Sequence, residues 1–129
     1  MCSEKMTRTS DCENPHLRVE IVDNWHRNWP SVLSSLEEQG QRDALAVDDD
    51  GWLSARQVLL VAFDEQENVA GHVCFHVNPT PAQGKLEIEA RVDAFGARDE
   101  DNQVQRTLWN AARQRANALR CDKLVGFVN

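Results

Sequence analysis

Apolar and polar positions alternate through His16–Trp25. Leu17, Val19 and Ile21 fall on one side of an extended chain, and Arg18, Glu20 and Val22 on the other, which predicts a first strand. Pro30 suits the first turn of a helix, Val32, Leu33 and Leu36 give it an apolar face, and Gly40 is placed to end it. Gln41–Val47 reads as a short second helix carrying Leu45 and Val47, and Asp48–Gly51 as a turn. Gln57–Asp64 is an almost unbroken apolar run, as expected of a strand covered on both faces. After the turn Glu65–Asn68, the segment Val69–Val77 alternates strictly. Val69, Gly71, Val73, Phe75 and Val77 face one way, and Ala70, His72, Cys74 and His76 the other. These two runs predict a β-hairpin, ended by Pro79, Pro81 and Gly84. Lys85–Phe95 alternates again, with Leu86, Ile88, Ala90, Val92 and Ala94 opposed to Glu87, Glu89, Arg91 and Asp93. Beyond the charged stretch Gly96–Asn102, residues Val104, Leu108, Ala111, Ala112 and Leu119 recur at helical spacing and predict a helix over Gln103–Arg120. Asp122–Val128 reads as a last strand.

The closing strand–helix–strand is a crossover, so its two strands should be parallel neighbours. The whole order predicts a mixed sheet with helices packed on it. Composition narrows the partners. The chain has 129 residues, 14 basic and 21 acidic, for a net charge of −7. A pI near 5.0 argues against nucleic acid. No apolar run approaches the ~18 residues of a membrane span. Residues 1–15 are polar, lack the apolar core of a secretory signal, and read as a disordered lead-in to a single domain over 16–129. Cys2, Cys12, Cys74 and Cys121 match no zinc spacing and are expected as reduced thiols in a cytoplasmic protein. His72, Cys74 and His76 share one strand face, either as a metal-binding pair with a neighbour or as polar residues lining that face. Trp25, Trp29, Trp52 and Trp109 read as core or edge packing, with Trp25 and Trp29 alternatively lining a pocket.

In this order of elements the chain resembles the GNAT superfamily of acyl-CoA-dependent N-acyltransferases. The hairpin Val58–Val77, the strand Lys85–Phe95, the helix Gln103–Arg120 and the strand Lys123–Val128 carry the likeness. It implies a GNAT-like α/β (α+β) fold, a mixed and mainly antiparallel sheet of about five strands flanked by helices. The family's late strands and last helix have no counterpart in the sequence. The likeness also implies acetyl-CoA as co-substrate, with no metal expected.

In that family the turn from the fourth strand into the long helix holds the CoA pyrophosphate. Its motif is Arg or Gln, two free positions, Gly, one free position, then Gly or Ala. Glycines let the backbone come close, and free N–H groups at a helix start favour an anion. Aligned on Leu108, this chain places Gln103 and Gln105 at the glycine positions, Val104 between them and Glu100 at the Arg or Gln position. Asp99, Glu100 and Asp101 crowd that turn, either repelling a diphosphate or complementing the helix dipole. Arg98, Arg106 and Arg113 are the cations able to compensate. The backbone amides of Phe95, Gly96, Gln103, Val104 and Gln105 form the candidate cofactor site. A Glu on the fourth strand often serves the family as base, and that position coincides with Glu89, whose carboxyl burial would raise. The Tyr that often serves as acid has no counterpart, because the chain contains none. Two readings follow: an N-acyltransferase with Glu89 as base, or a non-catalytic GNAT-like module working by association. The second rests on the apolar last strand, whose edge invites a second copy, so a homodimer is expected.

Overall fold

A computed structural model describes residues 16–46, 53–54 and 56–126. The lead-in, Val47, the turn Asp48–Gly51, Trp52 and residues 127–129 lie outside the described residues, and with them Cys2, Cys12 and the end of the last expected strand. The elements run β1 (Arg18–Ile21), α1 (Trp29–Glu38), β2 (Gln57–Phe63), β3 (Val69–Ala82), β4 (Lys85–Ala97), α2 (Asn102–Ala118) and β5 (Lys123–Val125). The strands form one sheet in chain order, antiparallel from β1 to β4, with β5 parallel to β4. This is the mixed, mainly antiparallel sheet expected, with its crossover helix α2.

The sheet is covered on both faces. Leu60, Val73, Phe75 and Ala90 meet Val104, Leu108, Ala112 and Ala116 of α2. Leu59, Val61, Phe63, Cys74 and Ala94 meet Val32 and Leu36 of α1 and Leu45. β2 is buried on both faces for this reason. α1 ends as its Gly40 suggested: φ is +70°, the Gly40 N–H bonds to the Glu37 carbonyl, and the Gln41 N–H reaches back 2.9 Å to the Leu36 carbonyl. This cap turns Gln41 toward the sheet. In place of the helix expected over Gln41–Val47 there is one 3₁₀ turn, Arg42–Ala44, with Leu45 buried behind it.

Two other expectations are corrected. β3 does not stop before Pro79 but runs to Ala82, joined to β4 through Gln83 and Gly84 at φ +50° and +81°. The Val77 N–H points toward the β2 side, bonding to the Arg56 carbonyl at 3.2 Å. Pro79 and Pro81 point the same way, past the start of β2, where no ladder bond is lost. The alternation of β4 also breaks. Cys74 pairs with Ala94 but Phe75 with Val92, so Asp93 is an extra residue in a bulge. Ala94 therefore moves to the α1 face, and Phe95 and Ala97 pack with the α2 face.

At Gly71 the sheet and α2 come close enough to exclude a side chain. A Cβ there would stand 2.7 Å from the Gly96 carbonyl oxygen, 2.8 Å from Val104 and 2.9 Å from Leu108. The carbonyl belongs to the neighbouring strand and cannot swing aside. Gly71→Ala should therefore destabilise the protein by about 2 kcal/mol, seen as a fall in Tm of roughly 8 °C. An unchanged Tm would show that α2 can move away from the sheet.

Candidate functional site

Among the described residues β5 pairs with β4 only at Glu89, Ala90 and Arg91. Past Arg91 the edge of β4 faces a cavity of about 320 Å³ lined by Val92, Phe95, Asn102, Gln105, Arg106 and Trp109. Phe95 and Trp109 meet edge to face at 5.8 Å and form its apolar wall. Gly126 makes room for Trp109, since a Cβ at that position would lie 2.4 Å from the ring. Of the candidate cofactor residues, Phe95 and Gln105 line this slot. Val104 is buried in the α2 core, Gln103 is exposed beside the slot, and Gly96 turns toward the α1 face, against Gln39 and His72.

The start of α2 is capped by its own sequence. The Asp101 carboxylate accepts the N–H of Gln103 at 2.8 Å and of Val104 at 3.3 Å, while the Gln105 N–H bonds to the Asp101 carbonyl at 3.0 Å. Asp99 and Glu100 stand just before it with φ of +56° and +52°. The amides that would meet a diphosphate are thus already held by a carboxylate. Arg98 is engaged with Asp64 at 3.1 Å and Arg113 with Asn110, leaving Arg106 as the cation that lines the slot. Asp101→Ser keeps a capping oxygen but removes the charge. It should leave Tm within about 2 °C, as cap exchange among good N-caps does, and tighten acetyl-CoA several-fold, read by calorimetry.

Glu89 is buried and doubly paired. Arg91 Nε donates to one carboxylate oxygen at 2.6 Å, and Lys123 Nζ lies 3.3 Å from the other. Lys123 also reaches Glu87 at 3.3 Å. These cations, Arg91 first, outweigh desolvation and hold the Glu89 carboxyl below its ordinary value, where burial alone was expected to raise it. The arrangement ties β5 to β4, helped by Asp122, whose carboxylate accepts the Ile88 N–H at 2.7 Å.

His72, Cys74 and His76 do share the α1 face, but they do different things. His72 is fully buried, its Nε2 2.6 Å from the Gln41 side-chain oxygen, and Gln41 Nε2 donates to the Phe95 carbonyl at 3.2 Å. Burial pushes the His72 pKa down to about 4 and the Cys74 thiol up to about 12, the latter helped by Asp93. Neither is ionised near neutrality. His76 borders a second cavity, of about 310 Å³, together with Asp93, Gln57, Arg56 and Asn78. Its Nδ1 lies 2.9 Å from both Asp93 oxygens. Gln57 Nε2 donates to Asp93 at 3.0 Å and to the Ala44 carbonyl at 2.9 Å, holding the carboxylate in place. No group of three or more His, Cys, Asp or Glu among the described residues is placed to hold a metal. No described helix is long and apolar enough to cross a membrane.

A scan of protein-family models and a search of curated proteins find no match to the chain. Solved structures do match. The ribosomal-protein-alanine N-acetyltransferase of Brucella melitensis biovar Abortus 2308 superposes with a TM-score of 0.65 at 18% identity, over 85% of this chain and 78% of that one. An aminoglycoside acetyltransferase from an uncultured soil metagenomic sample superposes at 0.65 and 11% identity, over 88% and 78%. The aminoglycoside 6′-N-acetyltransferase of Acinetobacter baumannii does so at 0.58 and 10%, over 88% and 80%. The chain has a GNAT-type acyltransferase fold. On this GNAT fold the slot lies beyond the last described β4–β5 pair, Arg91 with Val125, beside the start of the long helix. The slot's Trp109 and the His76–Asp93 pair were not singled out as site residues from the sequence. Trp109 reads there as core or edge packing, and Asp93 reaches His76 only because the bulge gives it no strand partner.

Proposed function

We propose that this GNAT-fold domain is an acyl-CoA-dependent N-acyltransferase, passing an acyl group from a thioester to a primary amine. The slot beside β4, beyond its last described pair with β5 at Arg91 and next to the start of α2, carries this reading. A pantetheine arm is slim, with apolar stretches and two amides. The wall of Val92, Phe95 and Trp109 suits its apolar length, and Asn102 and Gln105 suit its amides. The diphosphate fits less well. Arg106 offers one cation, but the first amides of α2 are held by Asp101. Acyl-CoA affinity should accordingly be weak, in the range of about 0.1–1 mM, where Kd corresponds to roughly −5 kcal/mol. Isothermal calorimetry with acetyl-CoA, paired with a thermal-shift series, tests this. Absence of both heat and shift at millimolar acetyl-CoA would overturn it.

The capped helix start also favours a second reading, a non-catalytic GNAT-like module that associates through its sheet. β5 is a short edge strand, and a second copy laid along it would form a homodimer. Light scattering on the eluting peak of a sizing column decides it: a mass of 14.6 kDa at micromolar concentration removes the dimer.

A further inference from the structure

We infer that the cavity on the α1 face of β4 receives the amine, with His76 as the general base and Asp93 as the residue that orients it. This rests on the acyltransferase reading above and names the acceptor side of the same site. An ionised carboxylate only accepts hydrogen bonds, so the contacts from Asp93 to Nδ1 place the imidazole proton on Nδ1. That leaves the Nε2 lone pair for a proton from outside. The His76 side chain is 35% exposed, so this nitrogen is within reach of a ligand, while Asp93, at 23%, is more sheltered and held by Gln57. The other candidates on this face are spoken for. His72 is sealed against Gln41, Cys74 is a buried neutral thiol, and Glu89 is clamped by Arg91 and Lys123.

Position supports the assignment as well as chemistry. Val92 borders the slot on the α2 face and the next residue, Asp93, borders this cavity on the α1 face, so the two openings flank the same point of β4 from opposite sides of the sheet. At about 310 Å³ the cavity suits a small primary amine. Its charged lining is Asp93 from β4 and Arg56 from the segment before β2; Ala44 and Ala46, on the α1 side, bring none. The step balances without any further reagent. The amine enters neutral, its nitrogen lone pair forms the N–C bond at the thioester carbonyl, and Nε2 takes one N–H proton. The tetrahedral adduct then collapses, the C–S bond breaks, and the leaving thiolate takes up a proton equivalent to the one His76 returns. The products are an amide and a free thiol.

His76→Gln and Asp93→Asn in the full chain test this, with acetyl-CoA as donor and 2-phenylethylamine, ethanolamine and glycinamide as acceptors. In His76→Gln, kcat/KM should fall about 100-fold or more while the acetyl-CoA Kd holds. Asp93→Asn should lower kcat/KM about tenfold, since the carboxylate that orients the imidazole is gone. Independently of turnover, ¹⁵N-histidine NMR should show His76 as the Nδ1–H tautomer in the wild type and a changed tautomer balance in Asp93→Asn. An Nε2–H tautomer in the wild type, or a loss within roughly threefold in His76→Gln, overturns the inference. Acetyl-CoA binding without turnover of any of the three amines overturns it too and leaves the donor slot standing. Failure of acetyl-CoA to bind overturns the acyltransferase reading, and this inference with it.

Discussion

Replacing Phe75 with alanine should destabilise the protein by about 4 kcal/mol and lower its Tm by roughly 15 °C. Phe75 is fully buried between the sheet and α2, among the largest such side chains. Its neighbours in that core include Ala90 and Ala112, whose methyl groups are too short to fill the space it would leave. The cavity would therefore persist, and a persistent cavity adds its own cost to the lost burial. Phe75→Leu keeps most of the volume and should lose only about 1 kcal/mol. The alanine variant has a functional consequence as well. Phe75 pairs in register with Val92, which walls the slot, so acetyl-CoA affinity should weaken in Phe75→Ala before the protein unfolds. Urea denaturation followed by calorimetry on the folded variant measures both. A loss below about 1.5 kcal/mol would mean the core collapses around the gap.

Acidification is the second large effect. His72 has a folded pKa of about 4 against an ordinary 6.5, because burial disfavours its charged form. Between these values the unfolded chain takes up a proton that the folded protein refuses, so stability falls as pH falls. The contribution is intact above pH 6.5, declines below it, and levels off near pH 4, with about 3 kcal/mol lost in all. Carboxylates held low in the folded state act in a different window. Glu67, at about 2 beside Arg18, and Glu20, Asp64 and Glu89 give stability that is present above the ordinary carboxylate range and lost below it. The slope from pH 6.5 to 5 therefore reports His72 most directly. In His72→Gln, urea midpoints over that interval should flatten while the acid limb below pH 4.5 stays. An equally steep slope in the variant would assign the effect to another group. Because Gln41 joins His72 to the Phe95 carbonyl, the same acid range should loosen the wall of the slot.

Much of the architecture was legible from local pattern. Alternation placed β1, β3 and most of β4, an unbroken apolar run placed β2, and the 3.6 spacing of Val104, Leu108 and Ala112 placed α2 on the sheet. Gly40 ended α1 because a left-handed residue can satisfy the last carbonyls, a requirement that involves only a few neighbouring residues. Each of these signals is read from residues close in the chain, where side-chain direction follows directly from backbone period. The same signals misjudged β3 at Pro79 and Pro81. Whether a proline breaks a strand depends on whether another strand needs its N–H, and that is a fact about β2 starting only at Gln57.

The candidate site was legible only in outline. The resemblance to the GNAT family placed Phe95 and Gln105 in the candidate cofactor site, and both line the slot. Sequence spacing treated Asp93 as one more polar position of an alternating strand, and His76 as one of three residues sharing a face. Only the tertiary structure decided that Asp93 bulges, that its carboxylate meets His76 while Gln57 holds it, and that Glu89 is spent on Arg91 and Lys123. The reason is physical. Hydrophobic period records which face a residue occupies, because burial is non-directional and acts on every residue of the face. Hydrogen-bond partners and pKa shifts need atoms within about 3 Å from strands far apart in sequence, and one extra residue in a ladder is enough to exchange them.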